Sequence, residues 1–191
     1  MKKILILSLS VLSTLLFSAC TDQANQPESQ AETIIGKHTI RFTEPPKRIP
    51  APHSVDAPLL GNGFTGVALS GTPESQVFYV ARNDFWRLKS ALDESFPLVL
   101  GKIELDIPQL KDASYLVEQQ LYDAVSTARF TKGDISVFYK AFVPATEDML
   151  IVDLNMEGNG AVEGSAGIFF LGKEEQINTV SYTHLTLPTN S

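Results

Sequence analysis

The chain has 191 residues, 22 acidic and 15 basic side chains, a formal charge of −7 and a single cysteine. The acidic balance argues against nucleic acid and anionic lipid headgroups as partners, and one cysteine leaves neither an intrachain disulfide nor a thiolate metal site. With 43% hydrophobic residues, stability must come from a packed core, and the chain is long enough to build one.

Residues 1–19 have the order of an export signal. Met1-Lys2-Lys3 is basic, residues 4–17 are apolar or hydroxylic, and Ser18-Ala19 supplies the small residues that precede a cut. The apolar stretch makes about 21 Å of helix at ~1.5 Å per residue, short of the ~30 Å hydrocarbon core, so a cleaved leader is expected rather than a lasting transmembrane helix. Leu16-Phe17-Ser18-Ala19-Cys20 resembles the bacterial lipobox, with Phe17 where that pattern usually has Leu. The resemblance implies lipidation at Cys20, whose acyl chains would hold the protein to a lipid bilayer at roughly 0.8 kcal/mol per buried methylene. Thr21 follows the cysteine in place of Asp. By resemblance to enteric sorting rules, this points to an exported cell-envelope lipoprotein of the outer membrane or cell surface. Loss of Lys2 and Lys3 with the leader takes the formal charge from −7 to −9. Residues 20–32 carry no large apolar side chain after Cys20 and are expected to form a disordered tether.

Residues 33–179 show short β-branched and aromatic runs with period-two alternation, broken by Gly, Pro, Asn and Asp. Strands are predicted at 37–42, 66–70, 77–81, 102–107, 115–122, 125–131, 135–143, 149–156 and 167–171. Residues 84–92 could hold one helical turn. Gly71-Thr72-Pro73-Glu74 and Lys132-Gly133-Asp134 are predicted hairpin connections. In 102–107, Ile103, Leu105 and Ile107 share one face and Lys102, Glu104 and Asp106 the other, as in a sheet with one wet side. The expected fold is all-β, an antiparallel β-sandwich.

Two segments carry the candidate chemistry. Leu60-Gly61-Asn62-Gly63-Phe64-Thr65-Gly66 sets three glycines around one Asn before a strand, which suits either a tight turn or close approach of backbone to a ligand. The following strand removes the Walker and Rossmann readings, which need a helix there. Arg82-Asn83-Asp84-Phe85-Trp86-Arg87 holds the only Trp beside an amide, a carboxylate and two guanidinium groups. Sugars lay apolar faces on aromatic rings and pair their hydroxyls with such groups, so this is a candidate carbohydrate wall; the alternative is a Trp plugging the sandwich with its N–H on backbone. Asn62, Arg82, Asn83, Asp84 and Trp86 are thus the candidate substrate-binding residues.

No catalytic residue is assigned. Glycoside hydrolysis ordinarily needs two carboxyl groups about 5 to 9.5 Å apart, whereas Asp93-Glu94, Glu147-Asp148 and Glu174-Glu175 are sequence neighbours that read as solvated charge. His38 and His53 have no supporting cluster, so no metal is expected, no cofactor is implied, and Gly-x-Ser-x-Gly is absent.

Residues 56–66 followed by 77–86 resemble the start of a six-hairpin glycosidase, the N-terminal β-sandwich of the fucosidase-type family 95 glycoside hydrolases and their relatives. Leu60-Gly61-Asn62-Gly63 and Gly66 match that family's glycine-rich loop, and Asn83, Asp84 and Trp86 match the segment closing its second strand. Trp86 is followed by Arg87-Leu88, where the pattern continues Ser/Thr-Gly. Residues 124–143 and 145–154 resemble the family's later hairpin and strand. The resemblance, spanning about residues 55–170, implies an accessory domain followed in the whole enzyme by a catalytic (α/α) barrel that carries the acid and base. A glycan-binding or purely structural surface lipoprotein is the other class of function.

Val180-Ser181-Tyr182-Thr183-His184-Leu185-Thr186-Leu187-Pro188-Thr189 resembles a translated sequencing adapter, reading back in one frame to a transposase mosaic end and the start of a read primer. Residues 180–191 are therefore expected to be a non-native tail, with the natural sequence leaving off near Thr179 and continuing in the whole protein. The same residues also have the β propensity of an edge strand.

Overall fold

Alternating apolar and polar residues cannot bury one stripe alone, so successive hairpins stack their apolar faces against one another. The computed structural model describes residues 30–48, 55–87, 96–158, 161–171 and 177–188. The expected export signal, Cys20, most of the expected tether, His53 and residues 88–92 lie outside them. Gln30–Ile35 forms a short helix, α1, with no buried residue, and it overlaps the last residues of the expected tether.

Among the described residues eleven strands follow: β1 (Thr39–Phe42), β2 (Leu59–Gly61), β3 (Thr65–Thr72), β4 (Ser75–Arg87), β5 (Phe96–Asp106), β6 (Ser114–Gln120), β7 (Val125–Lys132), β8 (Ile135–Phe142), β9 (Ile151–Glu157), β10 (Ala161–Leu171) and β11 (Ile177–Pro188). They make a five-stranded sheet in the order β1-β6-β7-β8-β9 and a six-stranded sheet in the order β11-β10-β5-β4-β3-β2. All pairings are antiparallel, and the protein is an all-β sandwich. No helix among the described residues is long and apolar enough to cross a membrane.

The turns follow local chemistry. Lys132 pairs with Ile135 across Gly133-Asp134, and Gly133 sits at φ 61°, the positive value that a tight hairpin with glycine first requires. Pro73-Glu74 closes the β3–β4 hairpin between Thr72 and Ser75, two residues of the expected connection.

One core joins both sheets. Val67, Leu69, Phe78 and Leu105 from the six-stranded sheet meet Val117, Phe130, Val137, Tyr139 and Met156 from the other, and Leu110, from a 3-10 turn at Pro108–Leu110, closes one flank. Phe78 and Phe130 pack on Tyr139 with ring centroids 5.6 and 6.0 Å away. The Tyr139 hydroxyl, deep in this apolar layer, donates to Gln76 Oε1 at 3.2 Å, and Gln76 Nε2 donates to the Thr72 carbonyl. That chain satisfies two buried polar side chains and bridges the sheets.

Both sheets manage an edge with a side chain. Gln119 of β6 donates to the Leu59 carbonyl at 2.5 Å and accepts from the Leu59 N–H at 3.3 Å, standing in for a strand neighbour of β2. On β1, Arg41 pairs with Glu118 of β6 at 2.6 Å across the outer face. The flank at β10 is less well covered. Its register with β5 puts Ile168 opposite Ile103 and Phe170 opposite Gly101, in the rows that face the core, yet the two are 39% and 42% exposed.

Several expectations change in extent. β4 continues as strand through Arg87 where a helical turn over 84–92 was expected, and β5 and β10 are longer than predicted. β2 has three residues, too few to show a period, and was not predicted. β11 pairs its backbone with β10 along the edge of the six-stranded sheet, with a register shift between Ile168 and Phe169.

Candidate functional site

The glycine-rich loop is a turn. Between β2 and β3, Gly63 takes φ 89°, a conformation that a side chain would strain. Asn62 supplies the rest of the geometry: its Oδ1 accepts from the N–H groups of Phe64 and Thr65 at 3.0 and 2.8 Å, the local side-chain bonding that makes Asn a turn residue. Its Nδ2 reaches the other sheet, donating to the carbonyls of Pro144 and Glu147 at 3.1 and 3.2 Å in the loop between β8 and β9. Both ends of this amide are therefore engaged inside the fold, and Asn62 works as a staple between sheets.

A wide irregularity in β4 builds the neighbouring wall. Ala81 pairs with Val99 of β5 and Trp86 with Pro97, so four residues of β4 (82–85) stand against a single residue of β5. An excess of this kind bends the strand and re-aims its side chains. The bulged segment leans on the Asn62 turn instead of on β5. The Asn83 N–H donates to the Phe64 carbonyl at 2.9 Å, and Asn83 Nδ2 donates to the Gly63 carbonyl at 3.1 Å.

Arg82 is the hub of this end of the sandwich. Its Nε and Nη2 donate to the two Asp84 oxygens at 3.1 and 3.4 Å, and Nη1 donates to Asp148 Oδ2 at 3.5 Å. The guanidinium carbon lies 4.2 Å from the centre of the Phe64 ring, a cation–π stack that fixes its plane. The Asp148 carboxylate also accepts from Thr65 Oγ1 at 3.4 Å. One cation thus gathers the β4 bulge, the β2–β3 turn and the β8–β9 loop.

The charges tune each other. The hydrogen bond from Arg82 holds the Asp84 carboxyl below its ordinary value of 3.8, slight desolvation opposing it, and the same pairing raises the Arg82 guanidinium. Asp84 is consequently ionised at neutral pH and unsuited to proton donation, a task that needs a raised carboxyl. It can accept hydrogen bonds.

Trp86 does not plug the sandwich. Its side chain is on the surface, 48% exposed, and its Nε1 donates to the Asn83 carbonyl at 2.6 Å. The indole N–H is satisfied within its own bulge, so what the residue offers to a partner is a ring face.

The structure brings Asn62, Arg82, Asn83 and Asp84 into one hydrogen-bonded cluster and sets Trp86 on its margin. Sequence reasoning missed Asp148, read there as solvated charge, along with Thr65 and Phe64. Thr65 and Phe64 were visible inside the glycine-rich motif. Asp148 had no local signal, because its partner Arg82 lies 66 residues away. Among the described residues no group of three or more His, Cys, Asp or Glu is placed to hold a metal ion.

A scan against protein-family models and a search of curated proteins found no match to the chain.

Proposed function

We propose that this chain is the N-terminal accessory β-sandwich of a membrane-anchored glycoside hydrolase acting on poly- or oligosaccharides, with the Arg82–Trp86 bulge as a wall on which the glycan rests. The observation that carries the reading is Trp86: a solvent-facing indole beside ionised Asp84, the pairing of aromatic face and hydroxyl acceptor that sugars bind. The resemblance of residues 56–66 and 77–86 to a six-hairpin glycosidase supplies the class of reaction. In this reading the wall stacks and orients the sugar, while proton transfer belongs to a catalytic barrel beyond these residues. A glycan-binding lipoprotein without catalysis is the second reading. It is favoured by Asp84, which Arg82 holds ionised and so unsuited to proton donation within this domain.

Reading the gene past residue 179 tests the enzyme. Several hundred further residues with helical periodicity are expected, and a stop codon soon after Thr179 would leave only the binding role. The anchor has its own test: Cys20→Ser should yield uncleaved precursor or soluble protein in place of a detergent-phase species. Mature Cys20→Ser protein that still fractionates with membranes would exclude lipidation as the anchor.

A further inference from the structure

The Arg82 cluster uses its hydrogen-bond donors internally. Asn62 Nδ2 is given to Pro144 and Glu147, Asn83 Nδ2 to Gly63, the Trp86 N–H to Asn83, and Arg82 directs Nε, Nη1 and Nη2 at Asp84 and Asp148. Turned outward beside the remaining N–H groups of Arg82 and Asn83 are carboxylate acceptors and an indole ring. The Asp84 and Asp148 side chains are 56% and 42% exposed, each with lone pairs beyond those Arg82 occupies; Asp84 and the exposed Trp86 belong to the same bulge, and Asp148 is tied to it through Arg82. Within the cluster the Arg82 guanidinium stands against two carboxylates, and Arg87 follows Trp86 at the next strand position, where side chains alternate faces, on a chain whose formal charge is −7.

We infer that this surface selects uncharged glycans, whose hydroxyls bring donors to Asp84 and Asp148 while an apolar sugar face lies on Trp86, and that it turns away uronic and sulfated glycans. The inference rests on the proposed glycan wall and adds its charge selectivity. An anionic sugar would place like charge beside two carboxylates and find Arg82 already paired with them, a juxtaposition that lowers affinity and association rate together. A neutral sugar meets no such penalty, and because stacking carries its binding, added salt should change it little.

The test is native electrophoresis of the full chain in nonionic detergent. The gels carry neutral polysaccharides (a glucan, a galactan, a mannan) or anionic ones (polygalacturonate, alginate, a sulfated galactan). At least one neutral gel should retard the protein, and the anionic gels should not. Trp86→Ala should bind about tenfold more weakly, in line with one lost aromatic contact, and Trp86→Phe should retain most of the retardation. Trp86 is half exposed, and an unchanged melting curve for both variants shows that the effect is on binding. The double variant Asp84→Asn, Asp148→Asn frees Arg82 and should gain retardation in the anionic gels. Retardation of the unmodified chain by an anionic glycan, abolished by Trp86→Ala, would overturn the charge selectivity and leave the glycan wall standing. If no gel retards the protein, the wall itself fails and the selectivity with it.

Discussion

Two of the polar links between the sheets of this sandwich sit in opposite environments. Gln76 and Tyr139, 2% and 3% exposed, meet in the middle of the core beneath the rings of Phe78 and Phe130. Asn62 and Arg82 meet the β8–β9 loop at the rim, where water reaches the carboxylates. In the core each polar atom must have a partner, because an orphan there costs its full desolvation. At the rim water replaces any lost partner, so those contacts contribute less stability and remain open to a ligand. The buried link fixes how the two sheets sit on each other; the exposed one arranges a surface.

Breaking the buried link should have the largest effect. Tyr139→Ala removes a ring packed between Phe78 and Phe130 and should cost roughly 3 to 5 kcal/mol of folding free energy. Tyr139→Phe keeps the ring and orphans Gln76 Oε1, for about 1 to 3 kcal/mol. Urea unfolding of both variants separates packing from hydrogen bonding. If the two cost the same, the hydroxyl carries the whole effect and the ring contacts contribute nothing measurable.

At the rim, Asn62→Ala should cost less, about 1 to 2 kcal/mol, although it removes bonds to Phe64, Thr65, Pro144 and Glu147 at once. It should also loosen the 144–148 loop, seen as faster amide exchange there with the core strands unchanged. Asn62→Asp retains the acceptor that holds the turn and sets a carboxylate against the Pro144 and Glu147 carbonyls. It should therefore loosen the loop while sparing the turn. Equal protection of the loop in both variants and in the unmodified chain would mean that Asn62 does not tie the sheets together.

The same contrast divides the pH profile. Burial pushes the Tyr115 phenol up to about 12 from 10.0 and raises Tyr139 as well, so folding favours their neutral forms. That contribution is complete below pH 10 and is lost as pH rises through 12. Asp84 has the opposite sign: its carboxyl is held below 3.8, so its contribution is complete above that value and is lost as acid protonates it. Because Asp84 is exposed, its limb should be shallow and should shrink with salt. Urea midpoints across pH check both. Tyr139→Phe should flatten the alkaline limb and Asp84→Asn the acid one; if the two variants exchange limbs, the buried and exposed roles have been misassigned.

The strands were legible because an alternating pattern requires only neighbours in sequence. Val137, Tyr139 and Ala141 are buried on one face of β8, and the hairpins around Gly133 and Pro73 announce themselves in the same local way. What escaped was set by distance. The four-residue excess in β4 is a mismatch with β5 that alternation within β4 alone cannot reveal. Asp148 becomes part of a cluster only because the β8–β9 loop folds over the Asn62 turn. Trp86 was ambiguous for a related reason: a tryptophan at a strand end suits a core as well as a surface, and the bulge that carries it outward is a property of the paired strands.

The smallest effect should come from the edge of the six-stranded sheet. β11 pairs with β10 from Ala161–Pro188 to Leu171–Ile177, a long backbone ladder. A ladder alone contributes little, since an edge strand exchanges hydrogen bonds to water for hydrogen bonds to protein at a net gain far below their gross energy. Stabilisation by a strand comes mostly from side chains matched to a shared face, and residues 180–191, resembling translated adapter, would have had no selection for such a match. Deleting residues 180–191 should therefore leave the thermal midpoint of the full chain unchanged within measurement error, a far smaller response than Asn62→Ala gives. For a domain of 150 or more residues, a loss of ~1 kcal/mol would lower the midpoint by roughly 2 to 4 °C, which a melting curve resolves readily. A shift of that size would mean that the segment packs as a native strand, and the adapter reading of residues 180–191 would have to be abandoned.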